Sequence, residues 1–502
     1  MRQFFFIFGI TALIITTVIY LFFDVGLLFI LFLIILLLIG YANTVQHKHA
    51  ILRNFPVLGY FRYLFEMIAP EIQQYFIERN TDGKPFSRNQ RTLAYQRSKN
   101  IDATIPFGTQ LDINQSCYEG IKHSIFPAIV NKDLPRVIVG GPDCKQPYSA
   151  SLLNISAMSF GSLSENAIIA LNKGALKGNF YHNTGEGGLT KFHQQGGDVT
   201  WQIGTGYFGC RDEKGGFDKD KFAEKANLPE VKMIEIKLSQ GAKPGHGGVL
   251  PAAKNTEEIA KIRGVLPHTT ILSPPGHTAF TNTKGLITFI ATLRELSNGK
   301  PIGFKLCIGQ TSEFEAICQE MITQNCFPDF ITVDGAEGGT GAAPIEFSDG
   351  VGMPFEPALI FVNKTLVFYG IRDKIRVISS GKIISGYSIL KAVALGADIC
   401  NSARGFMFSL GCIQALRCNT NTCPTGVATQ DKMLMKGLVV TDKSERVFYF
   451  HHNTLHAANE LLAAAGKKSF SDVDINIFMR GDEFNHLSDL YFPDNLKSVT
   501  KH

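Results

Sequence analysis

Residues 375–404 read IRVISSGKIISGYSILKAVALGADICNSAR. A short apolar run, Ile375–Ser379, meets the turn Ser380-Gly381-Lys382; a helical stretch, Ser385–Leu395, follows, and a second apolar run, Asp398–Asn401, completes the unit. Neither run alternates polar with apolar residues, which marks parallel strands buried on both faces, and the helix supplies the crossover that a parallel pair needs. The same grammar recurs upstream. Strand-like runs lie at Leu152–Ile155, Phe180–Asn183, Trp201–Ile203, Lys232–Lys237, Ile302–Leu306 and Phe330–Val333. Helical stretches lie between several of them, at Ser164–Lys177, Thr256–Arg263, Thr283–Leu296 and Ser312–Thr323. Eight such strands over about 250 residues predict an α/β fold of the (β/α)8 TIM-barrel class. No G-x-G-x-x-G follows an early strand to argue for a dinucleotide-binding sheet instead.

The whole chain has 502 residues, with 45% hydrophobic and 19% charged side chains. That length accommodates one large domain with accessories, and the composition excludes disordered and collagen-like classes. Its 49 Lys+Arg against 44 Asp+Glu leave a diffuse +5, without the basic patch that nucleic acid requires. The N-terminus departs from this average. Residues 1–45 carry two charges, Arg2 and Asp24, and Asp24 separates the uncharged runs Phe4–Phe23 and Val25–Tyr41. A single helix over both would bury Asp24 mid-bilayer, so a transmembrane helical hairpin turning at Asp24-Val25-Gly26 is expected. Arg2 on one flank and Lys48 and Arg53 on the other then place both ends, and the body, on the cytoplasmic side. A cleaved signal peptide is the competing reading, disfavoured by the length of the apolar stretch.

The expected organisation is a hairpin over 1–45, a membrane-proximal helical connector and arm over 46–110, a barrel over 111–465 and an accessory tail over 466–502. The connector could rest on lipid headgroups or pack on the body.

Chemistry in such a barrel sits where strands end. After the first strand comes SAMSFGSLSE (156–165), small residues that let backbone approach a flat ligand, or an ordinary capped turn. NTGEGG (183–188) follows the second. After the fourth, Lys237 and Lys243 lie six residues apart in a Gly-rich loop, suited to a dicarboxylate or simply solvated. Lys305 falls inside a run that should be buried, where a lysine needs an anion or ligand. The loops around Gly381 and Arg404 follow strands seven and eight, the usual phosphate site, and predict a phosphorylated ligand such as FMN. Cys412, Cys418 and Cys423 are three of only ten cysteines, gathered as C-x5-C-x4-C. That matches neither zinc-ribbon nor ferredoxin spacing, and three thiolates suit an iron–sulfur cluster lacking its fourth corner, with chance clustering as the alternative.

Five segments together, SAMSFGSLSENA, NTGEGG, QGAKPGHGG, DGAEGGTGAAP and GCIQALRCNTNTCPTGVATQ, resemble the FMN-binding synthase domain of glutamate synthase, over roughly residues 110–465. The sequence resembles more closely the short single-chain glutamate-synthase-like proteins with N-terminal membrane segments. The resemblance implies FMN, a [3Fe–4S] cluster and an oxidoreductase of the class acting on CH–NH2 donors. Such an enzyme reduces 2-iminoglutarate, formed from 2-oxoglutarate and ammonia, to L-glutamate. By the same resemblance, Cys412, Cys418 and Cys423 ligate the cluster, and Ala157, Met158 and Ser159 line the flavin. Lys305 lies near its pyrimidine edge, and Gly338, Gly339, Gly381 and Arg404 near its phosphate. Glu165, Lys237 and Lys243 surround the 2-oxoglutarate. With no amidotransferase segment in the sequence, ammonia is expected free or from a partner, and electrons from an external donor such as a ferredoxin or a reductase. His246, Lys382, Ala336-Glu337 and Thr278-Ala279-Phe280 depart from the large synthases. Those departures keep open another 2-oxo or imino acid, or an amino-acid derivative, as substrate, or a non-catalytic electron-transfer role.

Overall fold

A computed structural model describes residues 1–480 and the backbone of 485–486. The chain divides into two compact units, Met1–Gly83 and a second beginning at Lys84. In the first, helices Arg2–Phe23 and Leu27–Val45 form a hairpin through Asp24 and Gly26, both in the left-handed region. Glycine permits close approach of the two helices. A Cβ on Gly40 would meet the Phe5 ring at 2.1 Å, and one on Gly9 would meet Leu37 at 2.6 Å. Both helices are long and apolar enough to cross a bilayer. Helices Ala50–Asn54 and Gly59–Ile72 follow in the same unit.

The second unit is built on a closed barrel of eight parallel strands: β1 Leu153–Ile155, β2 His182–Asn183, β3 Val199–Ile203, β4 Val231–Lys237, β5 Ile302–Leu306, β6 Phe330–Asp334, β7 Arg376–Ser380 and β8 Ile399–Ser402. They pair in chain order, and β8 closes on β1 with Cys400 opposite Leu153 and Ser402 opposite Ile155. Each expected strand falls on an observed one. The second shrinks to two residues, and the third starts two residues earlier than expected. The five expected helices are present, Thr283–Leu296 with the expected bounds. Ser164 caps Glu165–Gly178, its hydroxyl accepting the Ala167 N–H.

The long helix Val440–Ala464 was not anticipated as an element. It lies against Glu165–Gly178 so closely that a Cβ on Gly174 would stand 2.4 Å from Val447. The unit boundary also differs from the expected one at 110. Phe86 and Ala94 are buried in the barrel's core, helix Arg88–Ser98 carries a Ser87–Gln90 capping box, and the Tyr95 hydroxyl donates to the Cys412 carbonyl at 2.6 Å. Residues 84–98 therefore belong with the barrel. So does the start of the expected tail. Val473, Ile475 and Phe478 are core residues, and Phe478–Arg480 pairs antiparallel with Glu119–Ile121. The rest of that tail, 481–484 and 487–502, lies outside the described residues.

A β-hairpin, Arg136–Val139 with Tyr148–Ser151, covers the N-terminal end of the barrel against Met233, Phe330, Ile378 and Ile399. Asp329 anchors it. Its buried carboxylate accepts the backbone N–H of Gly141 at 2.6 Å and of Ile302 at 2.8 Å, and pairs with Arg294 at 2.9 Å. Replacing Asp329 with alanine strands a buried guanidinium and two amides, and is expected to cost about 3–5 kcal/mol. A denaturant midpoint matching the parent's would contradict this reading.

Candidate active site

The barrel interior carries charge. Glu235 on β4 is buried and accepts from Gln202 at 2.8 Å, Asn183 at 3.1 Å and Thr332 at 3.1 Å, drawn from β3, β2 and β6. In register with Lys237, Lys305 on β5 pairs with Asp334 at 3.1 Å, and Asp334 also accepts the Gly241 N–H at 2.8 Å. Burial opposes the Lys305 charge, yet Asp334, Glu235 and Glu186 together hold its pKa above the ordinary lysine value.

Above this layer a cleft opens at the C-terminal end of the barrel. Glu186, in the loop after β2, accepts from the Lys237 ammonium at 2.7 Å. Burial pushes the Glu186 pKa upward, but Lys237, Lys243 and Arg263 outweigh it and the group is held below the usual glutamate value. Lys243 is buried, and loss of water lowers it to about 8, Glu186 opposing and Lys237 reinforcing the shift. Arg263 reaches the same place from the end of helix Glu257–Arg263, donating to the Phe160 carbonyl at 3.0 Å. Neither Lys243 nor Arg263 has a carboxylate within ion-pair distance among the described residues. Gly248 presses the loop after β4 onto this group, since a Cβ there would stand 2.3 Å from Glu186 Oε1. His277 steadies the end of β4 through hydrogen bonds with the Lys237 carbonyl at 2.9 Å and the Tyr207 hydroxyl at 3.0 Å. Burial lowers its pKa to about 4, so the ring is neutral.

Ala157, Met158, Ser159, Lys305, Gly339 and Arg404 all line the cleft. Gly185, with φ +63°, lets the loop after β2 approach the backbone of Ser159 to 2.8 Å of its own Cβ position. Gly338 lies under the same wall, 3.3 Å from Asp334 by the same measure. Gly381 packs against the Phe355 ring instead, where a Cβ would clash at 2.4 Å, and is not a lining residue of the cleft. A backbone-rich wall, a lysine at the base and an arginine at the rim fit a flat, phosphorylated ligand. Glu165 is not brought to the cleft. It occupies the first turn of its helix, where Lys191 feels its charge after that of Glu258. The acid in the cleft beside Lys237 and Lys243 is Glu186, a glutamate in a Gly-rich loop directly after a strand, which was the available signal; Asp334, paired with Lys305, lines the cleft as well. Arg263 had no local signal, because it ends a helix far from any glycine-rich turn.

Cys412, Cys418 and Cys423 line a second cavity with Phe86, Phe408 and Arg404. Their loop is held by left-handed backbone at Gly411, Gln414, Leu416 and Asn421, a costly conformation for side-chain-bearing residues. Burial raises Cys412 to about 11. Burial also works against ionisation of Cys423, but amides of Ala428, Thr425 and Val427 and the Thr425 hydroxyl bring it below the ordinary thiol value. Among the described residues no three His, Cys, Asp or Glu groups converge tightly enough for one metal ion. Three soft donors spread around one cavity fit a multinuclear cluster better than a single ion. Arg404, Thr340 and Cys418 line both cavities, so the two share a wall.

The conserved region in glutamate synthase matches residues 137–468. The glutamate synthase large subunit-like protein YerD of Bacillus subtilis is 39% identical over 466 residues, 84% of this chain and 88% of that protein. The archaeal glutamate synthase (NADPH) of Methanocaldococcus jannaschii is 35% identical over 64% of this chain and 60% of that protein. The glutamate synthase (NADPH) large chain of Azospirillum brasilense is 31% identical over 68% of this chain, but that match spans only 22% of the large chain. The chain thus spans most of one relative and a part of the others. On the family region and the extent of its match to YerD, the chain belongs to the glutamate synthase family.

Proposed function

We propose that the barrel binds FMN and a [3Fe–4S] cluster and reduces 2-iminoglutarate, formed from 2-oxoglutarate and ammonia, to L-glutamate. The observation that carries this reading is the group around Glu186, in which Lys243 and Arg263 have no carboxylate of their own. A dicarboxylate supplies one anion to each, and charge-assisted bonds in a poorly hydrated cleft are strong.

Ala157, Met158 and Ser159 would hold the flavin ring with Lys305 at its pyrimidine edge, and Gly338, Gly339 and Arg404 its phosphate end. Gly381 contributes backbone beside Phe355. Cys412, Cys418 and Cys423 would ligate the cluster. When bound, FMN supplies hydride and the cluster single electrons, drawn from an external donor such as a ferredoxin or a reductase. Lys243 and Arg263 orient the substrate. Lys237 and Glu186, joined at 2.7 Å, hold the proton taken up at the product's nitrogen. The helices Arg2–Phe23 and Leu27–Val45 would anchor the protein in a membrane with its body on the cytoplasmic side.

Full-length protein in detergent, with flavin bound and chemically reduced under anaerobic conditions, is expected to form glutamate from 2-oxoglutarate and ammonium. No glutamate from fully flavin-loaded protein would overturn the reading. Because the ammonium of Lys243 is the binding form, KM for 2-oxoglutarate should rise as pH increases through about 8. In Lys243→Ala that pH dependence should vanish and KM should be roughly ten- to hundredfold higher at neutral pH; a persisting dependence would exonerate Lys243. Cys418→Ser should abolish the paramagnetic signal of the cluster, and an intact signal would show the ligand assignment to be mistaken.

A further inference from the structure

Lys254 ends the turn Ala252–Lys254 in the long excursion between β4 and β5, and it is 1% exposed. Its ammonium donates to three backbone carbonyls, those of Ser162 at 2.5 Å, Cys418 at 3.1 Å and Ala428 at 3.2 Å. An ammonium has three protons, so the set is complete. The three carbonyls come from two segments far apart in the chain. Ser162 lies in the loop after β1 that carries Ala157, Met158 and Ser159, while Cys418 and Ala428 flank the cysteine loop on either side of Cys423.

A buried ammonium ordinarily has a carboxylate beside it, because carbonyl dipoles alone do not replace a counter-charge. No carboxylate lies within ion-pair distance of Lys254 among the described residues. Instead the ammonium stands directly against the backbone of the cysteine loop, through the Cys418 carbonyl at 3.1 Å, and burial lowers its pKa to about 8. Lys254 also lines the main cleft, on the side where Cys418 and Ala428 separate it from the cysteine cavity.

We propose that Lys254 is a positioning residue that ties the loop after β1 to the cysteine loop, and that its ammonium, when protonated, raises the reduction potential of the cluster held by Cys412, Cys418 and Cys423. This rests on the cluster assignment made under Proposed function. The physics is simple. One-electron reduction adds negative charge to the cluster, and a cation held in a poorly screened interior stabilises the reduced form more than the oxidised one. A residue that only pinned two loops together would leave the potential where it is.

The test is an anaerobic redox titration of the full chain in detergent with its cluster assembled, following the paramagnetic signal of the oxidised cluster. Lys254→Gln keeps hydrogen-bonding capacity but removes the charge. It is expected to shift the one-electron equilibrium at least tenfold against reduction, a fall of about 59 mV. Lys254→Arg keeps the charge and is expected to stay within threefold of the parent. A Lys254→Gln protein that holds its cluster at the parent's potential overturns the proposal and leaves the cluster assignment standing. If Lys254→Gln does not retain a cluster, a second neutral variant, Lys254→Met, is titrated in its place: a fall of at least tenfold supports the proposal, and the parent's potential overturns it. A parent chain that shows no cluster signal after reconstitution overturns the cluster assignment itself, and the proposal with it.

Discussion

The ion pair between Lys305 and Asp334 sets the terms for the rest of the barrel. A closed parallel barrel buries both faces of every strand, so an ammonium on β5 is tolerable only with an anion in reach. Asp334 supplies it at 3.1 Å, and its second duty, accepting the Gly241 N–H, fixes the start of the loop that carries Lys243. Glu235 contributes negative potential from below and is itself satisfied by Gln202, Asn183 and Thr332. Charge in the interior thus governs where the loop after β4 can go, and that loop brings Lys243 toward Glu186.

Above that layer the balance of sign reverses. One carboxylate, Glu186, faces Lys237, Lys243 and Arg263, and only Lys237 is paired with it directly. The cost of holding Lys243 in this state is visible in its pKa, lowered to about 8 by burial. A site that keeps desolvated cations waiting for an anion gains discrimination, because a ligand lacking the second carboxylate leaves one of them unsatisfied. The shared wall between the cleft and the cysteine cavity, formed by Arg404, Thr340 and Cys418, adds a second constraint, since neither site can be reshaped without disturbing the other.

Much of this was legible in the residues. The eight strands announced themselves because buried parallel strands are short apolar runs punctuated by glycine, a local pattern. The capped helix after β1 was equally local, through Ser164. What escaped was decided by distance. Helix Val440–Ala464 is amphipathic enough to blend with its surroundings, and its role comes from contact with Gly174 across the fold. Phe86 and Ala94 looked like part of a connector because nothing nearby in sequence says that the barrel's core lies beside them. Glu165 was expected near the substrate only through the family resemblance, and that Glu186 faces Lys237 is a contact between loops that the sequence does not show. Lys254, an ordinary lysine in a polar turn, becomes notable only when its three carbonyl partners are seen together.

On the proposed reading, the unpaired cations around Glu186 select a ligand with two carboxylates. Calorimetric titration of the oxidised full-length protein with 2-oxoglutarate and with 2-oxobutyrate, which lacks the distal carboxylate, tests it most directly. Loss of one charge-assisted contact is worth about 1.5–3 kcal/mol, so 2-oxoglutarate should bind roughly ten- to hundredfold more tightly. Equal affinities for the two acids at neutral pH would contradict the account.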